Sequence, residues 1–144
     1  MQQLKDVMTV SPEYCLAQHT AVQAARLMQQ MDAGIVPVIV SDSDKTLLGV
    51  VTDRDLCMAV VAEGLDPKTV TLEECMSAPV VAAYLNDDTE TAVTLMQKHQ
   101  IRRVPIIDEA GKLVGIISTA DVFQRSDVPP TKTHETLASV SRPA

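Results

Sequence analysis

Two seven-residue strings carry the residue types that could grip a small polar molecule: Gly49-Val50-Val51-Thr52-Asp53-Arg54-Asp55 and Gly115-Ile116-Ile117-Ser118-Thr119-Ala120-Asp121. Each runs glycine, two apolar residues, a hydroxyl residue, two variable residues and an aspartate. The plainest chemistry for a hydroxyl and a carboxylate three residues apart is a helix cap. The hydroxyl accepts from a free N–H of the first turn and the carboxylate reaches back to the cap's own N–H, worth about 1 kcal/mol. The positive helix end and its free amides also favour an anion such as phosphate, and a carboxylate there can accept both hydroxyls of a ribose. One copy would read as a cap alone. Two copies at matching positions shift the balance toward a ligand, and the same aspartate can do either job.

No other constellation competes with these. Ser/His/Asp, Cys/His and paired-carboxylate arrangements do not stand out, so catalysis is not expected. His19, His99 and His134 show no ligand spacing, and Cys15, Cys57 and Cys75 form no C-x-x-C pair, so no metal site is expected. An odd number of scattered cysteines fits a reducing compartment. Cys15 and Cys57 read as small buried hydrophobes, with thiol redox sensing as an alternative.

The elements that must position the two strings come from an internal repeat. Ala24-Ala25-Arg26-Leu27-Met28-Gln29-Gln30 returns as Ala92-Val93-Thr94-Leu95-Met96-Gln97-Lys98, Val36-Pro37-Val38-Ile39 as Val104-Pro105-Ile106-Ile107, and Met8 as Met76. The register slips where the turn 41–46 outruns its counterpart 109–112, a place where length changes cost little. Each half predicts a short opening strand (14–16; 80–83), a helix (21–32; from Asp88 or Thr89), two strands (35–40 and 47–52; 104–108 and 113–118) and a closing helix (53–63 ending at Gly64; 119–125). Thr20 with Gln23 is a candidate cap, Gly34 a candidate left-handed terminus, and Ala21, Ala25, Met28 and Met31 the expected inner face. Thr71 with Glu74 caps a short helix before Met76. Strands that are apolar on consecutive residues are expected to be covered on both faces. The expected division is repeat 1 over 1–66, repeat 2 over 67–126, and a tail, 127–144, that is mobile or docked in an oligomer.

Composition narrows the partners. With 144 residues and a net charge of −7, the average surface repels a phosphate backbone, and 2% aromatics with no Trp give no base-stacking platform. Nucleic acid is therefore not an expected partner. No apolar run approaches the roughly 18 residues of a membrane span, and the start lacks a basic segment followed by an apolar one. A cytoplasmic protein is expected, with no membrane partner.

Taken in order and twice over, Met8-Thr9 with Pro12, Met76-Ser77 with Pro79, the two Val-Pro strands and the two Gly-x-x-Thr/Ser-x-x-Asp strings resemble the cystathionine β-synthase (CBS) domain family. The chain is similar to a tandem pair, a Bateman module, over about residues 4–125. The resemblance implies an α+β fold, with two β-α-β-β-α repeats packed about a pseudo-twofold axis through their sheets, and commonly a homodimer. It implies a regulatory module that binds AMP, ADP, ATP or S-adenosylmethionine in inter-repeat clefts, with no catalytic cofactor and an effector protein still to be named. Carried over by position, Asp55 and Asp121 would hold ribose hydroxyls, and Thr52 and Ser118 a phosphate. Val36, Pro37, Val104, Pro105, Val10 and Ala78 would line an adenine pocket. Arg54, Arg102 and Arg103 are the candidate phosphate cations; their unequal distribution between the repeats predicts non-equivalent sites. A structural interaction module without nucleotide is the competing reading.

Overall fold

A computed structural model describes residues 2–78, 80–125 and Pro129. The expected tail therefore lies outside the described residues, Pro129 apart. Helix starts are set by the predicted caps. Thr20 and Gln23 bond reciprocally, Thr20 N–H donating to Gln23 Oε1 at 2.8 Å and Gln23 N–H to Thr20 Oγ1 at 3.4 Å. Asp88 Oδ1 accepts from Thr91 N–H at 3.0 Å. These open α2 (Ala21–Met31) and α5 (Thr89–His99). In chain order the other elements are α1 (Leu4–Val7), β1 (Thr9–Val10), β2 (Cys15–Leu16), β3 (Ile35–Ile39), β4 (Leu47–Thr52), α3 (Asp53–Leu56), α4 (Leu72–Cys75), β5 (Ala83–Tyr84), β6 (Arg103–Ile107), β7 (Leu113–Ser118) and α6 (Thr119–Arg125).

Three local expectations are corrected. Asp32 (φ 51°), not Gly34, takes the left-handed position after α2, as Gln100 (φ 56°) does after α5. Gly34 is small for another reason: a Cβ there would lie 2.8 Å from Asp53 Oδ2. The inner face of α2 uses Ala21, Ala24 and Met28, spaced three and four apart, while Ala25 is exposed. The closing helix of repeat 1 is not uniform, because α3 passes into a π-helical turn at Cys57–Val61. The extra residue in that turn changes which side chains face inward. Val60 is buried and Cys57, expected inside, is exposed.

The fold is mixed α+β with two small sheets. One has the order β2-β3-β4 and the other β1-β7-β6-β5. Their registers repeat: Val38 faces Gly49 and Ile106 faces Gly115, each beside an irregularity one residue later. The segment that opens each repeat does not stay with that repeat's sheet. Thr9 and Val10 pair with Ile116 and Gly115 on β7. In the mirror arrangement Ser77 bridges Val50 on β4, donating N–H to Val50 O at 2.8 Å and accepting from Val50 N–H at 3.3 Å.

The chain accordingly clusters as Glu13–Val80 in one compact unit, and the residues up to Pro12 with those from Val81 onward in the other. Repeats in sequence and units in space thus divide at different points. The Glu13–Val80 unit encloses Ala24, Val36, Val38, Val51 and Leu72, all fully buried. The other encloses Leu4, Ala92, Val93, Met96, Val104, Ile106 and Ile117 in the same way.

Candidate functional site

Both motif strings form reciprocal caps. In repeat 1, Asp55 N–H donates to Thr52 Oγ1 at 3.0 Å and Thr52 N–H to Asp55 Oδ2 at 2.9 Å. In repeat 2, Asp121 N–H donates to Ser118 Oγ at 3.1 Å and Ser118 N–H to Asp121 Oδ2 at 3.0 Å. The start of each helix is also tied to the entry of the preceding hairpin, by Asp53 N–H to Gly34 O and Thr119 N–H to Arg102 O, both 2.9 Å. The hydroxyl and carboxylate side chains are therefore fixed at the strand-to-helix junction. All four residues are half-buried.

The motif glycines have a packing cause. A Cβ on Gly49 would come within 2.8 Å of Ser77 O and 3.0 Å of Met76 Sδ; one on Gly115 would come within 2.9 Å of Met8 Cγ and closer still to Met8 Sδ. Each glycine thus seats the methionine of the opening segment laid over it. The paired Met8 and Met76, already visible as a repeat, were the signal for this contact.

Beyond the caps the two aspartates differ. The Ser77 hydroxyl donates to Asp55 at 3.2 Å (Oδ1) and 3.3 Å (Oδ2). Asp121 Oδ1 instead lies 4.0 Å from a guanidinium nitrogen of Arg125, which is 56% exposed against 14% for the aspartate. An ion pair so open to solvent is worth little. Neither Ser77 nor Arg125 was picked out from the sequence as a partner of these carboxylates. Ser77 could have been, from its place beside the repeated methionine.

The cations also differ. Arg103 stands opposite Ser118 in the β6–β7 register, where Ile35 stands opposite Thr52 in the other sheet. Directly paired residues share a sheet face, so a positive side chain accompanies the hydroxyl in repeat 2 and an apolar one in repeat 1. Arg54 and Arg102 are exposed. Of the candidate adenine contacts, Val36 and Val104 are 0% exposed and belong to the two cores. Pro37 and Pro105 are also buried, whereas Val10 and Ala78 are exposed.

Among the thiols, burial pushes Cys15 up to about 11. Cys75 is raised too, first by burial and then by the negative charges of Asp55 and Glu74. Its Sγ–H donates to Thr71 O at 3.4 Å. The described residues hold no group of three or more His, Cys, Asp or Glu arranged for a metal ion. No helix among them is long and apolar enough to cross a membrane.

The family model for the CBS domain matches residues 4–62 and 72–127, one match per repeat. The chain belongs to the CBS domain family, as a tandem pair. It is 38% identical over 122 residues to the CBS domain-containing protein YhcV of Bacillus subtilis, covering 85% of this chain and 84% of that protein. It is 39% identical over 120 residues to an uncharacterized protein of Methanopyrus kandleri, where the match covers 83% of this chain but only 58% of the relative's length. Among solved structures, Hypoxic Response Protein I, with two coordinated zinc ions, superposes with a TM-score of 0.78 at 32% identity, over 87% of this chain and 99% of that one. CBSX2 in complex with AMP shares the fold at 23% identity, with a TM-score of 0.74 over 86% and 95% of the two chains.

Proposed function

We propose that this CBS pair is a regulatory module that binds an adenosine-containing ligand, of the AMP, ADP, ATP or S-adenosylmethionine type, through its two Gly-x-x-Thr/Ser-x-x-Asp motifs. The observation that carries the reading is the duplicated junction, where Asp55 and Asp121 are each fixed by one main-chain N–H on Oδ2. A carboxylate has about four acceptor positions, so such a cap leaves capacity for a ribose diol. The Thr52 and Ser118 hydroxyls stand beside it for a phosphate. Arg103 supplies a charge next to Ser118, while exposed Val10 and Ala78 offer apolar surface for a purine. The fold is one that holds AMP in CBSX2.

The module acts by biasing a conformational or association equilibrium that an effector protein reads, to the extent that the ligand prefers one state. It has no catalytic role of its own. The association is a homodimer, and the three scattered free cysteines suit a reducing cytoplasm. Titration calorimetry with AMP, ATP and S-adenosylmethionine tests the reading. Asp55→Ala and Asp121→Ala are each expected to remove one class of site, with a cap's worth of stability, about 1 kcal/mol, lost besides. Binding equal to the parent in both variants, together with a lowered melting temperature, would leave the aspartates as caps only.

A further inference from the structure

The two motifs are alike down to the reciprocal cap and differ in what else meets the carboxylate. In repeat 1 that group is the hydroxyl of Ser77, and its geometry is specific. At 3.2 and 3.3 Å from Oδ1 and Oδ2 it is nearly equidistant from the two oxygens, so it lies in front of the carboxylate fork. A bidentate partner, whether a guanidinium or a vicinal diol, must occupy the same place to reach both oxygens at once.

Ser77 is held there by its own main chain. Both of its backbone groups bond Val50 on β4, and the absence of a Cβ at Gly49 lets its carbonyl approach. The serine comes three residues before the chain leaves the Glu13–Val80 unit. Asp55 and Ser77 therefore form one small assembly in which a strand-edge residue of the connecting segment bonds the candidate ribose-binding carboxylate.

We propose that Ser77 is a positioning residue for the repeat-1 site, whose hydroxyl competes with a ribose diol for the Asp55 carboxylate and so lowers the affinity of that site for diol-bearing ligands. The proposal rests on the reading of Asp55 as a ribose-binding group. It makes the two sites unequal for a reason separate from their cations, and it ties ribose engagement to release of a side chain on the segment joining the two units.

The test isolates repeat 1 in the full chain carrying Asp121→Asn, in which the amide oxygen can still cap Ser118. AMP and 2′,3′-dideoxy-AMP are titrated by calorimetry into this protein and into the same protein carrying Ser77→Ala or Ser77→Thr. Removing the hydroxyl is expected to tighten AMP about three- to tenfold, the effect of one exposed charge-assisted hydrogen bond, and to leave dideoxy-AMP unchanged. Ser77→Thr, which restores a hydroxyl, is expected to return AMP affinity to the starting value. A general loosening of the segment would move both ligands together and would not be reversed by threonine. An AMP to dideoxy-AMP ratio that Ser77→Ala leaves unchanged or reduces overturns the competition. If the starting protein does not distinguish the two ligands, and Asp55→Asn changes neither, the underlying ribose reading fails instead.

Discussion

Cys15 and Cys75 are held as neutral thiols by their surroundings, whereas Cys57 sits in the open on the π-helical turn. The thiolate is the reactive form, so an alkylating reagent at neutral pH is expected to modify Cys57 first and the other two only as the chain unfolds. Peptide mapping of a time course checks this, and early labelling of Cys15 would contradict its enclosure. The same burial has a pH consequence. The Cys15 thiol loses its proton near 9 in its ordinary state and near 11 in the fold. Between those values the unfolded chain has released a proton that the folded chain retains, so stability declines as pH rises through that window. Replacing Cys15 by Ala is expected to flatten the decline between pH 9 and 11 in denaturant melts, even though the variant is somewhat less stable at neutral pH. An unchanged alkaline slope would show that Cys15 is not its source.

Strands β4 and β7 repeat the same glycine, yet the two positions differ in what a methyl group would strike. At Gly49 the nearest atom is a main-chain carbonyl, Ser77 O at 2.8 Å, fixed by two backbone hydrogen bonds; at Gly115 the crowding is from the flexible side chain of Met8. Gly49→Ala is therefore expected to cost about 2 to 3 kcal/mol and Gly115→Ala about 1 kcal/mol, within the range for overpacking. Shortening Met8 to Ala should relieve the Gly115 variant while nothing comparable relieves Gly49; chemical denaturation of the parent, the two glycine variants, Met8→Ala and the Met8→Ala/Gly115→Ala double variant decides it. These contacts also mark where sequence reasoning reached its limit. The caps at Thr20, Thr52, Asp88 and Ser118 were legible because each is settled within a few residues. The hairpins were legible because their apolar runs recur. Which sheet each opening segment joins was not, since Met8 and Met76 meet a glycine in either pairing and local pattern cannot separate two near-identical partners. The π-helical turn left no local mark either, because Cys57-Met58-Ala59-Val60-Val61 suits a regular helix as well.

For the molecule as a whole, the surface to be accounted for lies where the first turns of α2 meet the π-helical turn and the residues after it. Met58 and Val61 are 53% and 73% exposed, and Leu65 is 51% exposed. Val61 and Leu65 line an apolar groove of about 440 Å3 together with Ala21, Ala25 and Val60. A contiguous apolar surface beside a groove marks an interaction site more often than chance exposure does, and the homodimer proposed above makes a second copy of the chain the occupant to test. Val61→Asp separates this from a purely intramolecular role. In a solvent-facing position the change alters stability by no more than about 0.5 kcal/mol, whereas in an interface it buries an unpaired carboxylate and opposes association. Sedimentation velocity is expected to show a dimer for the parent and a monomer for the variant at the same concentration, with matching thermal melts at high dilution. If parent and variant sediment alike, the groove is not where copies meet; and since a net charge of −7 per chain repels a like copy at long range, raising the salt concentration should then strengthen whatever association exists elsewhere on the surface.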